Sequence, residues 1–278
     1  MARIALFQSR TGIEPADNAR ALVAAIGEAA AGGAAMLFTP EMSGLLDRDA
    51  GRAAGKLRSE DNDEVLAACR EAASRHGLWL HLGSLAVRAA GGEGGKLANR
   101  GFLIDPAGAI RARYDKIHLF DVDLPSGESW RESSVYRAGD GAVLVDGTPA
   151  GRLGLTICYD LRFPALFERL SEAGAETIAV PAAFTAPTGR AHWEVLLRAR
   201  AIEAQAFVVA AAQTGRHEDG RETWGHSLVV GPWGDVLLDM GNRIGVGFAE
   251  IDLAQVGAVR QRVPALEHRR SIEPAAIA

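Results

Sequence analysis

The stretch GRLGLTICYDLRFPALFERL (151–170) holds one of the two cysteines in the chain, and with it a residue able to do covalent chemistry. Cys158 follows the apolar run LGLTI and precedes a helix-like segment with Pro164 near its start. That order predicts a strand ending at the cysteine and a helix starting just beyond it. A thiol facing a helix start meets unpaired backbone N–H groups and partial positive charge, which favour the nucleophilic thiolate. A buried cysteine also packs as a small hydrophobe, and this segment alone leaves both readings open. Cys69 lies among Val65, Leu66, Ala68 and Ala72 of a helix-periodic segment, where core packing accounts for it.

Two other residues have types that could serve a thiol. Glu41 follows MLFTP, an apolar strand ending in proline. A carboxylate where a buried strand emerges is partly desolvated, so its pKa rises and it becomes a usable general base. The alternative is an ordinary loop glutamate in water. Lys116, in RYDKIHLF, has Ile117, Leu119 and Phe120 beside it. It could place positive charge on a developing oxyanion, or be a solvated surface amine.

The elements that must position these residues follow from periodicity. RIALFQS reads as a strand, NARALVAAIGEAAAGGA as a helix ending at Gly32 and Gly33, and AAMLFTPE as a strand. DNDEVLAACREAASRHG reads as a second helix, with acidic residues first and Gly77 last. WLHLGSLAV and NRGFLIDPAG follow as strands. Residues 115–140 lack periodicity and read mostly as loop, and long irregular stretches in compact domains are usually functional. Beyond Cys158 come the helix FPALFERLSEAG, the strand ETIAVPAAF, the helix HWEVLLRARAIEAQ, and strands in AFVVAAAQ, HSLVVGPWGDVLLDM and VGFAEIDL. Glu194 and Arg198, four apart, suit a helix-surface ion pair. No linker or repeat divides the chain, so residues 1–278 read as one α/β domain.

Composition narrows the partners. A formal charge of −5 over 278 residues gives no electrostatic reason to expect nucleic acid or an anionic membrane. Apolar runs such as AFVVAAA fall far short of the ~20 residues that span a bilayer. The N-terminus lacks the pattern of a secretory signal, and two cysteines do not make a disulfide framework, so the cytoplasm is the expected compartment. With no HExxH, no CxxC and no clustered His/Asp pattern, neither metal nor other cofactor is expected. His118, His192 and His226 read as structural hydrogen-bonding residues.

Together, Glu41 in TPEMSG, Lys116 in YDKIHLF and Cys158 in GLTICYDLRFP resemble the Glu-Lys-Cys triad of the nitrilase (carbon-nitrogen hydrolase) superfamily, and the resemblance covers nearly the whole chain. AGAETIAVPAAFTAPTGRAHWEVLLRARAIEAQAFVVAAAQTG and WGHSLVVGPWGDV resemble the branch that contains deaminated glutathione amidases. The resemblance implies a four-layer αββα sandwich assembled as a homodimer or larger homo-oligomer. It implies a second glutamate supporting the lysine, which fits Glu132 in WRESSVYRAGD, with Glu128 as rival. It also implies an oxyanion held by Lys116 and the backbone N–H of Tyr159, and an acyl pocket made by Arg162, Phe184 and Thr188. Arg162 has a simpler alternative in an ion pair with Asp160. The activity implied is hydrolysis of a small-molecule linear amide through a cysteine thioester, foremost deaminated glutathione to 2-oxoglutarate and Cys-Gly. The alternatives are ω-amidase action on 2-oxoglutaramate, N-carbamoyl amino-acid hydrolysis, nitrile hydrolysis, and outside enzymes a silent interaction protein, which would be expected to have lost the triad.

Overall fold

Strand β1 (Ala2–Gln8) sends Ile4 and Leu6 to one face and Ala5 and Phe7 to the other, and all four are buried. A strand covered on both faces belongs inside a layered α/β fold. The computed structural model has that architecture and describes residues 1–88, 95–123, 127 and 129–276. β1 pairs in parallel with β2 (Met36–Phe38), which pairs in parallel with β3 (Trp79–Arg88). Antiparallel β4 (Leu97–Ile104) and β5 (Ile110–Asp115) extend one edge, and β16 (Gly245–Ile251) closes the other beside β1. The second six-stranded sheet runs from β8 (Val143–Thr148) through β9 (Gly151–Leu155), β10 (Thr177–Ala179), β11 (Phe207–Ala210) and β14 (Leu228–Val230) to β15 (Val236–Asp239).

The two sheets face each other through Ile4, Leu6, Met36 and Phe38 on one side and Leu153, Leu155, Phe207 and Val209 on the other. Helices α1 (Pro15–Ala31) and α3 (Glu64–His76) cover the outer face of the first sheet with Leu22, Ile26, Val65, Leu66 and Cys69. Helices α4 (Pro164–Glu172) and α5 (Ala186–Ala204) cover the second with Phe167, Leu170, Trp193 and Leu197. The result is a four-layer αββα sandwich. Two short ribbons, β6 (Asp121–Asp123) with β7 (Ser129–Arg131) and β12 (Thr214–Arg216) with β13 (Glu222–Trp224), sit outside the main sheets. Short α2 (Ala50–Ala54) and C-terminal α6 (Ala254–Arg262) complete the described elements.

Several boundaries differ from the sequence reading. Helix α5 begins at Ala186 rather than His192, because Pro187 takes a first-turn position where its missing N–H costs nothing. The expected loop 115–140 contains the β6–β7 ribbon and a 3-10 turn at Glu132–Ser134. Helix α6 has little apolar periodicity, so its sequence carried no helical signal.

Cys69 is fully buried, and burial pushes its thiol up to about 12. In the unfolded chain the same thiol ionises near 9. A group whose pKa is raised by folding contributes stability that is lost as pH rises from the unfolded toward the folded value. Between pH 8 and pH 10, Cys69→Ala is therefore expected to lose about 1 kcal/mol less stability than the wild type. Urea melts at the two pH values check this, and equal losses would contradict it.

Candidate active site

Strand β2 ends at Phe38, and Pro40 prevents the chain from continuing the ladder. The bend is fixed by hydrogen bonds to the neighbouring strand, where Gly83 N donates to Thr39 Oγ1 (3.0 Å) and Met42 N donates to Ser84 Oγ (2.9 Å). Behind it, Gln213 Nε2 donates to the Glu41 carbonyl at 2.9 Å. Glu41 is thus aimed between the sheets, with 4% of its surface exposed.

Lys116 comes directly after β5, and its N–H donates to the Asn99 carbonyl of β4 at 2.9 Å. Its Nζ donates to Glu41 Oε1 at 2.9 Å and to Glu132 Oε2 at 2.9 Å. Glu132 Oε2 also accepts the Phe120 N–H at 2.7 Å. Asn99 Nδ2 lies 2.9 Å from Glu41 Oε1 and 3.1 Å from Glu132 Oε1, bridging the two carboxylates. The second Glu41 oxygen accepts the Ala183 N–H at 2.9 Å. One ammonium, one amide and two carboxylates therefore form a closed buried network. Glu128, the rival to Glu132, lies outside the described residues.

The nucleophile candidate sits three residues past β9, at the start of a 3-10 turn, Cys158–Arg162, rather than at the start of α4. Its backbone is left-handed, with φ 49°, a conformation disfavoured for any residue with a Cβ. The Cys158 N–H is tied to the Pro181 carbonyl at 2.9 Å, and Asp160 secures the turn by accepting the Ile157 N–H (2.9 Å), the Tyr114 hydroxyl (2.7 Å) and the His118 N–H (3.0 Å). Among the described residues the Tyr159 N–H makes no hydrogen bond.

Both protonation expectations are corrected. Burial raises Glu41, but the Lys116 charge and hydrogen bonds from Lys116, Cys158 and Asn99 outweigh it, and the carboxyl is held below its ordinary value. A strand-end setting alone suggested the opposite, because the ammonium 75 positions away is invisible there. Burial and the adjacent Glu41 charge push the Cys158 thiol well above its usual value, with only partial relief from Lys116. The thiol is neutral at rest, not a helix-stabilised thiolate. Burial pulls Lys116 down, yet Glu132 and Glu41 hold it well above the ordinary lysine value. The arrangement is a protonated thiol hydrogen-bonded to an ionised carboxylate beside a permanent ammonium.

Glu41, Lys116, Glu132, Cys158, Tyr159, Phe184 and Thr188 line one cavity of about 1140 Å³. Arg162 is not among its lining residues. Its guanidinium lies 5.2 Å from the Phe184 ring and 3.2 Å from His192 Nδ1, while its expected partner Asp160 is taken up by Tyr114 and His118. Asn99 was missed in the sequence, although one amide inside the apolar strand LANRGFLI is a readable sign of a buried polar contact. Gln213 carried no such sign. Among the described residues, no group of three or more His, Cys, Asp and Glu side chains could hold a metal ion, and no helix is long and apolar enough to cross a membrane.

Gly83 of β3 brings the sheets together beside this site. A Cβ there would lie 2.1 Å from the Thr39 carbonyl oxygen, 2.5 Å from that of Pro40 and 2.6 Å from Pro181 Cβ.

Comparison with known proteins agrees with this geometry. The family model for carbon-nitrogen hydrolases matches residues 3–261. The deaminated glutathione amidase of Yersinia enterocolitica is 39% identical over 272 residues, covering 98% of this chain and 94% of the relative. That of Mus musculus is 40% identical over 269 residues, covering 96% and 83%. The crystal structure of the Caenorhabditis elegans NitFhit protein superposes with a TM-score of 0.88 at 40% identity, over 97% of this chain and 65% of that one. The chain belongs to the carbon-nitrogen hydrolase family of the nitrilase superfamily and is a hydrolase of C–N amide bonds.

Proposed function

We propose that this enzyme hydrolyses deaminated glutathione to 2-oxoglutarate and Cys-Gly through a thioester on Cys158. The observation that carries the chemistry is the Glu41 carboxylate shared by the Cys158 thiol and the Lys116 ammonium on the wall of one cavity. The substrate rests on the relatives of that name, which match over nearly the whole chain.

Glu41 takes the thiol proton as sulfur attacks the amide carbon, so the high thiol pKa is overcome within the attack itself. The carbonyl electron pair moves to oxygen, which Lys116 and the Tyr159 N–H stabilise. The intermediate collapses, the C–N bond breaks, and Glu41 returns the proton to the leaving amine. Water then gives a proton to Glu41 and attacks the thioester. The C–S bond breaks and the proton goes back to sulfur. Glu132 and Asn99 hold Lys116 and Glu41 in register. Phe184 and Thr188 shape the acyl end of the cavity, and Arg162 acts from behind Phe184, stacked on its ring.

The enzyme works in the cytoplasm as a homodimer or larger homo-oligomer in this reading. Two unpaired cysteines suit a reducing compartment, and exposed Val195, Ile202 and Trp233 suit a subunit contact. Steady-state kinetics on deaminated glutathione, 2-oxoglutaramate and an N-carbamoyl amino acid test the substrate. The first is expected to have the highest kcat/KM, and a tenfold preference for either of the others sinks the proposal.

The base must be ionised to act, and its folded pKa is depressed below 4.5. Activity is therefore retained above that value and lost as pH falls through the lowered Glu41 pKa. The acid limb of kcat/KM is expected below pH 4.5. A limb near pH 6 would show that the base is not Glu41 in this setting.

A further inference from the structure

The cavity is larger than the proposed reaction needs, and one wall of it is apolar. Its volume of about 1140 Å³ lies above the ~300–1,000 Å³ in which pockets bury a drug-sized ligand. Leu45, Leu46, Ala53, Leu57, Ala86 and Leu97 make the apolar wall. They come from the segment after the base, from α2, from the end of β3 and from the start of β4. Arg88 fastens α2 to the end of β3, donating Nη2 to the Ala54 carbonyl at 2.9 Å and Nε to the Leu57 carbonyl at 3.2 Å. Asp47 accepts Arg52 Nε at 2.6 Å and Nη2 at 2.7 Å. The open side differs, for Trp130 of β7 stands at the rim, its ring 6.3 Å from that of Phe120, and Arg48 and Lys96 are exposed there.

This wall is continuous with the catalytic carboxylates. Ala86 lies opposite Asn99 in the β3–β4 ladder, and Leu97 lies opposite Arg88. Residues two apart on a strand share a face, so Leu97 and Ala86 extend the surface from which the Asn99 amide bridges Glu41 and Glu132. Met42, directly after the base, stands at the junction, where its sulfur is 4.0 Å from the Tyr136 hydroxyl. The two halves of the substrate part toward different sheets. The acyl group stays on Cys158, which follows β9 of the second sheet, near Phe184 and Thr188. The amine takes its proton from Glu41, which follows β2 of the first sheet, and the apolar wall belongs to that sheet and its flanking α2.

We infer that this lobe receives an apolar substituent on the cysteine sulfur of the leaving group, so that thioether conjugates of deaminated glutathione are substrates. The inference rests on the proposed reaction and widens its substrate class. The bond cleaved is the same amide, and the thioether departs intact in S-substituted Cys-Gly. The cysteine side chain branches one atom from the scissile nitrogen, so its sulfur meets the wall beside the base. A bare thiol is too small to cover that wall, whereas an alkyl chain removes apolar surface of both partners from water. The unbranched Met42 side chain can adapt to substituents of different shape.

The test compares deaminated glutathione with its S-methyl and S-hexyl conjugates, using the whole chain. The wild type is expected to show at least tenfold higher kcat/KM on the S-hexyl than on the S-methyl conjugate, mainly through KM. Ala53→Phe and Val135→Trp fill the lobe from two sides, and each is expected to lower that ratio at least fivefold. Val135 is 37% exposed, so Val135→Trp keeps the test open should the bulk added at buried Ala53 unfold α2. Equal kcat/KM on the two conjugates in the wild type, or a ratio that neither substitution moves, overturns the lobe while deaminated glutathione is still hydrolysed. A wild type that hydrolyses none of the three overturns the reaction, and the lobe with it.

Discussion

Cys158→Ala is expected to lower turnover by about five to six orders of magnitude, the scale seen when a covalent nucleophile is removed. The residual rate would come from oxyanion stabilisation and binding alone. The fold should survive, because Glu41 keeps its bonds from Lys116, Asn99 and the Ala183 N–H when the sulfur leaves. Alanine occupies the left-handed backbone at position 158 no less readily than cysteine does. Melting temperature should therefore stay within a few degrees of the wild type while hydrolysis disappears. A variant that keeps even a tenth of wild-type turnover would remove Cys158 from the mechanism.

Lys116→Met should be damaging in a different way. It leaves buried Glu41 and largely buried Glu132, whose side chain is 12% exposed, sharing one Asn99 amide, with no cation between them. Breaking a buried pair by removing one partner costs about 3–5 kcal/mol, because the remaining charge is uncompensated. Two carboxylates so placed cannot both remain ionised, so one pKa rises and the variant recovers stability as pH falls toward 5. Thermal melts at pH 5 and pH 8 should show the defect mainly at pH 8. The double variant Lys116→Met, Glu132→Gln, which removes one of the two charges, should regain part of the loss. Hydrolysis should fall at least about a thousandfold in either variant, since the oxyanion loses its ammonium. A Lys116→Met protein as stable as the wild type at pH 8 would mean that the buried network is not held together by charge.

How far the sequence reveals this site depends on whether a residue's setting is local. The alternation of Ile4 and Leu6 with Ala5 and Phe7, and the capped helix from Asp63 to Gly77, are decided by neighbours in the chain, and both were legible. So was Cys69, whose place on the buried face of its helix follows from the helix's own periodicity. Glu41, Lys116 and Cys158 could be read as a set only through their resemblance to a family, because their contacts cross from one sheet to the other. The direction of the Glu41 and Cys158 shifts depends on those contacts and ran against the local reading. Asn99 and Gln213 act entirely through distant partners, and Arg162 lies behind Phe184 for reasons set by how the Asp160 turn packs.

The close approach at Gly83 bears on how the enzyme can be altered. Base and nucleophile are carried by two segments, one after Pro40 and one bonded to Pro181, and the Thr39 and Pro40 carbonyls and the Pro181 ring crowd Gly83 so closely that there is no space for a Cβ between them. Their separation behaves as a rigid gauge rather than an adjustable hinge. Refilling either hydrophobic layer can change stability without resetting it, whereas a single methyl group at position 83 would reset it at once. Work to admit bulkier amides therefore has room at the Trp130 rim, and none along the seam where the sheets meet.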